Sequence, residues 1–304
     1  MIKIFKIFIF FSFVINVYGQ SEYIYVLGNV QDAGLPHIGC KHQFCKEKFN
    51  QFEEYFTTSI AVIDPLNKKY VLFEATPDLP YQLNYLDKKL FKNFLLPESI
   101  FITHAHIGHY AGLMYFGREA LGSKDLKVNV LPKMANFLKT NGPWSQLVEI
   151  NNIKIQEINF GQKTNHLSNI SVTPIKVPHR DEYSETAAYV IIGKNKKALF
   201  IPDIDKWEKW EKNLRELVRK FDYLLLDATF YDSVEINRDI SEIPHPLVSE
   251  TISLLENLSL KDKSKVYFIH MNHTNMMLDP KSDLTDYVIS KGFNIARLGL
   301  KLEL

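Results

Sequence analysis

The sequence predicts a layered α/β protein in which helices cover sheets. Two observations carry that expectation. Short apolar or alternating runs bounded by turn residues recur along the chain, and stretches of helical spacing fall between several of them. Strands outnumber helices early in each half and then alternate with them, which is the order of helices laid on sheets rather than of a pure sandwich. A chain of 304 residues, 46% hydrophobic and 23% charged, is long and apolar enough to bury a large core.

In chain order the strand runs are "YIYVLGNV", "SIAVIDP", "KYVLFEAT", "SIFITHAH", "KVNVLP", "ISVTPIKVPH", "AAYVIIG", "KALFIPD", "YLLLDAT" and "KVYFIHMNH". Helical spacing marks residues 79–89, 109–120, 132–141, 207–220, 246–257 and 281–291. No repeat, low-complexity tract or composition break marks a linker, so residues 20–304 are expected to form one domain.

Residues 1–19 are a separate object. Lys3 and Lys6 precede an apolar run from Ile7 to Val17, and the small Gly19 follows two residues later, the pattern of a signal peptide cleaved after about Gly19. The run is too short for a comfortable membrane span. The expected location is therefore exported, periplasmic or secreted, with no stable membrane association after cleavage. A formal net charge of +1 gives no basic field for a polyanion, so a small-molecule substrate is expected and no nucleic acid.

The chain's two cysteines lie in "HIGCKHQFC" with two histidines between and before them: His37, Cys40, His42 and Cys45. The H-x2-C-x-H-x2-C spacing suits a tetrahedral structural zinc, and the same two thiols in an oxidising compartment suit a disulfide. Both readings, and a third in which the two cysteines stay unlinked, stand on the residues alone.

The stretch "THAHIGHYAGL" brings His104, His106 and His109 close together. His104 and His106 follow the run "SIFIT", His179 ends "SVTPIKVPH", Asp203 ends "KALFIPD", Asp227 ends "YLLLD" and His270 ends "KVYFIH". Each sits where a strand hands its last side chain to a loop, so ligands from different strands can converge at one sheet edge. Neutral imidazoles and carboxylates are ligands of zinc, iron and manganese, and three imidazoles with an open fourth position activate water. The metal set read here is His104, His106, His109, His179, Asp203 and His270. It would hold one or two Zn2+ ions, with Fe2+ or Mn2+ as alternatives.

These motifs resemble those of the metallo-β-lactamase superfamily, which implies a four-layer αββα fold with ligands at strand ends. "THAHIGHYAGL" resembles its H-x-H-x-D-H motif, with Gly108 in place of the aspartate. "VPH", "IPD" and "FIHMNH" match its later ligand motifs at His179, the bridging Asp203 and His270. "FEATPDLP" resembles the first motif, with Asp78 in the acidic place as a catalytic or loop-ordering group. Within the superfamily, "GNVQDAGLPHIGC", "IPHPLVSE" and "IHMNHTN" are most similar to the coenzyme PQQ synthesis protein B group, which acts in pyrroloquinoline quinone biosynthesis. Typical members of that group are cytoplasmic and lack the first two histidines of the motif, both of which this chain keeps.

Under that resemblance Gly108 leaves the first metal position complete and the second with His109, His270 and the shared Asp203. Restoring an aspartate at 108 should then strengthen the second position. A tight turn needing positive φ is the other reading of Gly108. "DATFY" followed by His245 matches phosphodiesterase-like members in which such a histidine protonates the leaving group, so His245 is the catalytic acid read here. Asp181 and Glu182 are candidates to orient imidazoles. His273 is placed behind the ligands or facing substrate, and His166 in a surface loop. The expected activity is a metallo-hydrolase of ester, phosphodiester or related bonds, and nothing in the residues points to a β-lactam. An iron-dependent oxidation or carrier role for a quinone precursor is the alternative.

Overall fold

Two seven-stranded mixed sheets face each other in the computed structural model, which describes residues 21–49, 55–235 and 243–304. The leader expected over residues 1–19 lies outside the described residues. The first half of the chain supplies β1 (Tyr23–Gly28), β2 (Ser59–Asp64), β3 (Lys69–Phe73), β4 (Ser99–Phe101), β5 (Leu126–Val130) and β6 (Ile153–Glu157). The second supplies β7 (Thr164–Leu167), β8 (Ile170–Lys176), β9 (Ala187–Ile192), β10 (Lys197–Ile201), β11 (Tyr223–Asp227), β12 (Val266–Ile269) and β13 (Asn294–Ile295). The last strand, β14 (Lys301–Glu303), returns to the first sheet and pairs antiparallel with β1.

Each half repeats one pattern. Strands β1 to β3 and β7 to β10 pair antiparallel, after which β3 to β6 and β10 to β13 run parallel. Parallel neighbours need crossovers, which is where most of the helices fall. They are α1 (Gln43–Lys48), α2 (Leu79–Leu86), α3 (Ile107–Tyr110), α4 (Pro132–Thr140), α5 (Trp144–Glu149), α6 (Leu214–Lys220), α7 (Val248–Leu254), α8 (Leu260–Lys263) and α9 (Asp283–Ser290). Among the described residues no helix is long and apolar enough to cross a membrane.

The buried side chains separate into layers. One cluster joins Val26, Val62, Phe73 and Phe101 of the first sheet to Val172, Tyr189, Phe200 and Leu225 of the second. At its centre the Phe73 and Phe101 rings stack at 4.9 Å, and the buried Tyr189 hydroxyl donates to the Ile102 carbonyl at 2.6 Å. A second cluster packs α2, α4 and α5 on the outer face of the first sheet, and a third packs α6, α7 and α9 on that of the second. The result is the expected αββα arrangement.

His166 is not in a loop. It sits on β7 with Nδ1 3.1 Å from Ser99 Oγ and its ring edge-on to Phe101 at 4.6 Å, stitching the two sheets together.

Candidate metal centre

Strands β3, β4, β8, β10, β11 and β12 all end at one edge of the sandwich, and the chain just beyond each carries a polar side chain into one place. After β4 come His104 and then His106, the latter on extended backbone, and α3 turns His109 back toward them. His179 follows β8, Asp203 follows β10, Asp227 ends β11 and His270 follows β12. Two of the residues there hold a left-handed backbone without being glycine: Glu74 at φ 72° and His270 at φ 65°. Such a conformation costs about 1–3 kcal/mol and is kept where neighbours enforce it.

His104, His106, His179 and Asp203 offer ligand atoms within 4.8 Å of one another. Asp203 Oδ2 lies 3.4 Å from His104 Nε2 and 3.2 Å from His179 Nε2, while His179 Nε2 lies 3.3 Å from His106 Nδ1. Tetrahedral zinc with bonds near 2.0–2.1 Å separates its ligand atoms by roughly 3.3 Å, which these three separations match, while His104 Nε2 and His106 Nδ1 stand closer, at 2.7 Å. Two of the three rings are also held from behind, while His179 Nδ1 is buried without a hydrogen-bond partner. Thr103 Oγ1 is 2.9 Å from His104 Nδ1, and Glu182 Oε2 is 3.1 Å from His106 Nε2. Such outer partners fix which nitrogen faces the metal. Of the two acids considered for that work Glu182 reaches an imidazole, whereas Asp181 accepts from Thr186.

A second set adjoins the first through Asp203, whose Oδ2 is 3.7 Å from His109 Nε2. His109 and His270 are joined there by Asp32, a residue the motif reading passed over. Asp32 Oδ1 lies 3.1 Å from His109 Nε2 and 3.4 Å from His270 Nε2. The only sequence signal for it was "GNVQDAGLPHIGC", a phrase noted for family likeness and not for ligation. Gly108 is explained by the same aspartate. It lies in the first turn of α3 without positive φ, and a Cβ built on it would overlap Oδ1 and Cα of Asp32. The tight-turn reading of Gly108 is therefore corrected: glycine is needed for close approach.

Asp32 Oδ1, His109 Nε2, Asp203 Oδ1 and His270 Nε2 are buried with no hydrogen-bond partner. Buried polar atoms are rarely left so, and a shared cation satisfies them together. The residues fit a metal. In the first set electrostatics agrees: burial, and then His109, hold His104 well below its ordinary value, as a neutral ligand. Burial opposes the ionised form of Asp203, but His179 and His245 outweigh it and keep the carboxyl well below its usual range.

His245 is buried in the same place, although its loop follows residues outside the description. Its Nδ1 lies 2.8 Å from Asp227 Oδ2 and 3.1 Å from Asp203 Oδ1. Thr229 ties this corner to the second set, donating to Asp227 Oδ1 at 2.7 Å while its Oγ1 lies 3.1 Å from His270 Nδ1. Asp78, read as catalytic or loop-ordering, does the second. Its Oδ2 accepts from Thr57 N at 2.8 Å and from Thr57 Oγ1 at 2.7 Å. Of the two acids in "FEATPD", the one that faces an imidazole is Glu74, with Oε1 3.4 Å from His109 Nδ1.

The cysteine loop forms a separate cluster. Cys40, Cys45 and His273 offer ligand atoms within 4.8 Å of one another, with both thiols free. His273 is thus at the cysteines and not behind the catalytic ligands, and its ring stacks on that of His37 at 4.0 Å. Burial and the neighbouring His37 and His42 push His273 down to about 4, which leaves its nitrogen free to ligate.

Two imidazole clusters sharing one carboxylate at the strand ends of an αββα sandwich define a metallo-β-lactamase-type protein. The Beta-lactamase superfamily domain matches residues 69–271, and the chain belongs to that superfamily. Within it the chain is similar to coenzyme PQQ synthesis protein B of Methylococcus capsulatus, at 25% identity over 92% of this chain and 99% of that protein. Its fold is similar to that of Zn(2+)-bound PqqB from Methylobacterium extorquens, with TM-score 0.77, 19% identity, and coverage of 93% of this chain and 100% of that one. It is also similar to a diphosphatase from the PhnP family, with TM-score 0.66, 23% identity, and coverage of 94% and 98%. The matched span holds every ligand named from the motifs, while Asp32 lies before it.

Proposed function

We propose that the chain is a metal-dependent hydrolase of an ester, phosphodiester or related bond. The observation that supports this reading most is His245, a buried imidazole held by Asp227 beside the shared Asp203. Zinc in these donor sets would supply a Lewis acid and a water nucleophile active at neutral pH.

The chain's own residues supply the rest. His104, His106 and His179 would hold the first ion, and His109 and His270 would hold the second, with ionised Asp203 between them. Glu182 keeps His106 in orientation, and Glu74 Oε1 lies 3.4 Å from His109 Nδ1. His245 has its Nδ1 committed to carboxylates, so Nε2 is the nitrogen with a proton to give. Burial opposes its charge, but Asp227 and then Asp203 raise it to about 10, which favours the protonated ring. A protonated imidazole at this position can donate to a departing oxygen.

The second reading is an iron-dependent oxidation or a carrier role in quinone cofactor synthesis. The likeness to coenzyme PQQ synthesis protein B over 92% of the chain supports it. The same nitrogen and carboxylate donors also accept Fe2+. Elemental analysis of the purified protein, followed by phosphodiester, lactone and β-lactam substrates and an oxygen electrode, separates the two. Zinc with chelator-sensitive hydrolysis supports the hydrolase. Iron with oxygen uptake and no hydrolysis overturns it.

A further inference from the structure

We propose that Asp32 is a metal ligand, supplying from the loop after β1 the carboxylate that the histidine motif lacks at Gly108. The inference rests on the metal-centre reading and goes beyond it, because it makes the second position complete and not weakened.

Four observations carry it. First, Asp32 Oδ1 reaches both imidazoles of the second set, at 3.1 Å from His109 Nε2 and 3.4 Å from His270 Nε2. Second, these three atoms are buried, and none makes a hydrogen bond. A carboxylate paired directly with an imidazolium would have the N–H aimed at the oxygen; here the atoms are close without that alignment, the arrangement of ligands facing a common ion. Third, the loop is fastened to the strand end that carries His270. Gln31 N donates to the Met271 carbonyl and Met271 N to the Asn29 carbonyl, both at 2.8 Å, and Asn272 Nδ2 donates to Gln31 Oε1 at 2.6 Å. Asp32 and His270 are therefore positioned by one piece of paired backbone. Fourth, Gly108 makes room: any side chain there would overlap Asp32 Oδ1 and Cα. The glycine and the aspartate read as one exchange, in which the carboxylate moves from the helix turn to the facing loop.

The exchange also balances charge. With Asp203 alone the second position would offer two neutral imidazoles and a share of one carboxylate, while Asp32 adds a full negative charge beside a divalent ion.

The test is metal binding by the full chain, stripped with chelator and titrated with Co2+ by visible absorption and with Zn2+ against a chromophoric chelator. The titrations use a Cys40→Ser/Cys45→Ser background, which removes the thiols of the separate cluster, and the otherwise wild-type chain is expected there to bind two equivalents. Asp32→Asn, of the same shape, should keep the first with unchanged affinity and weaken the second by at least about tenfold. First-site binding in the same sample reports that the variant is folded, and Asp32→Ser is the substitute should Asp32→Asn not fold. Gly108→Ala should weaken the second ion as well, by pushing the Asp32 loop away. Two equivalents at wild-type affinity in the Asp32 variants, or a single equivalent in wild type, would overturn the proposal. A wild type that binds no divalent ion would overturn the metal-centre reading along with it.

Discussion

His245 Nδ1 lies 2.8 Å from Asp227 Oδ2. Asp227 ends β11 fully buried, and its other oxygen accepts from both the backbone and the hydroxyl of Thr229. Every oxygen of this carboxylate is thus engaged at the strand end, and the imidazole it holds has one nitrogen left over. The sheet fixes the acid, although His245 itself lies on a loop.

That relationship gives the first expectation. His245→Ala should keep its metals and lose turnover by roughly a hundredfold on substrates with poor leaving groups, and much less on activated ones, which depart without a proton. Asp227→Asn removes the larger of the two fields that raise His245, so the His245 pKa falls and the alkaline limb of the rate profile moves to lower pH. Equal losses on both substrate types, or metal loss in His245→Ala, would make the residue a ligand or a packing group.

The first donor set gives the second expectation. His104→Ala and His179→Ala each leave only two imidazoles beside Asp203 in the first set, and both should lose the tightly held ion in elemental analysis. Their effects should match, because the two nitrogens stand at nearly equal distances from Asp203 Oδ2, 3.4 and 3.2 Å. A full metal equivalent retained by either variant would remove that residue from the first set.

The sequence made the interior legible and the edges obscure. The strands not anticipated were β6, β7, β13 and β14, and these are the outermost strands of the two sheets. Edge strands are short and carry polar residues, as in "TNHL" of β7, so no apolar run announces them. The site divides in a similar way. His104, His179, Asp203 and His270 were readable because each closes an apolar strand run. Asp32 was not, because it is brought to His109 only by pairing between the loop after β1 and Met271, far away in sequence. Glu74 was passed over for Asp78 because both lie in "FEATPD", and only the left-handed backbone at Glu74 shows which one faces His109.

Gly108→Asp now carries an expectation opposite to the one its motif suggests. The added Cβ overlaps Asp32 Cα, which is backbone and cannot swing aside as a side chain would. The variant should lose the second ion, and it should be less stable than wild type in thermal melts of the metal-free chain. A rise in metal stoichiometry would mean that the loop after β1 yields easily.

His166 gives the last expectation, through stability. Burial, with a smaller contribution from Lys127, pushes it down from an ordinary 6.5 to about 4. The folded chain therefore keeps His166 neutral at a pH where the unfolded chain has already protonated it. Between those two values the unfolded state binds the additional proton, so stability falls as pH falls from 6.5 toward 4, and above 6.5 the group contributes no pH dependence. His166→Gln keeps a polar group near Ser99 and Thr164 but does not titrate. Its stability should decline less steeply than wild type across that window, while the two run parallel above it. Urea unfolding midpoints of wild type and variant, taken at matched metal load, check this, because acid-induced metal release acts on both chains and drops out of their difference. Parallel curves throughout the acid window would show that His166 is solvated enough to protonate without cost, and that the contact between the sheets at Phe101 does not depend on a neutral ring.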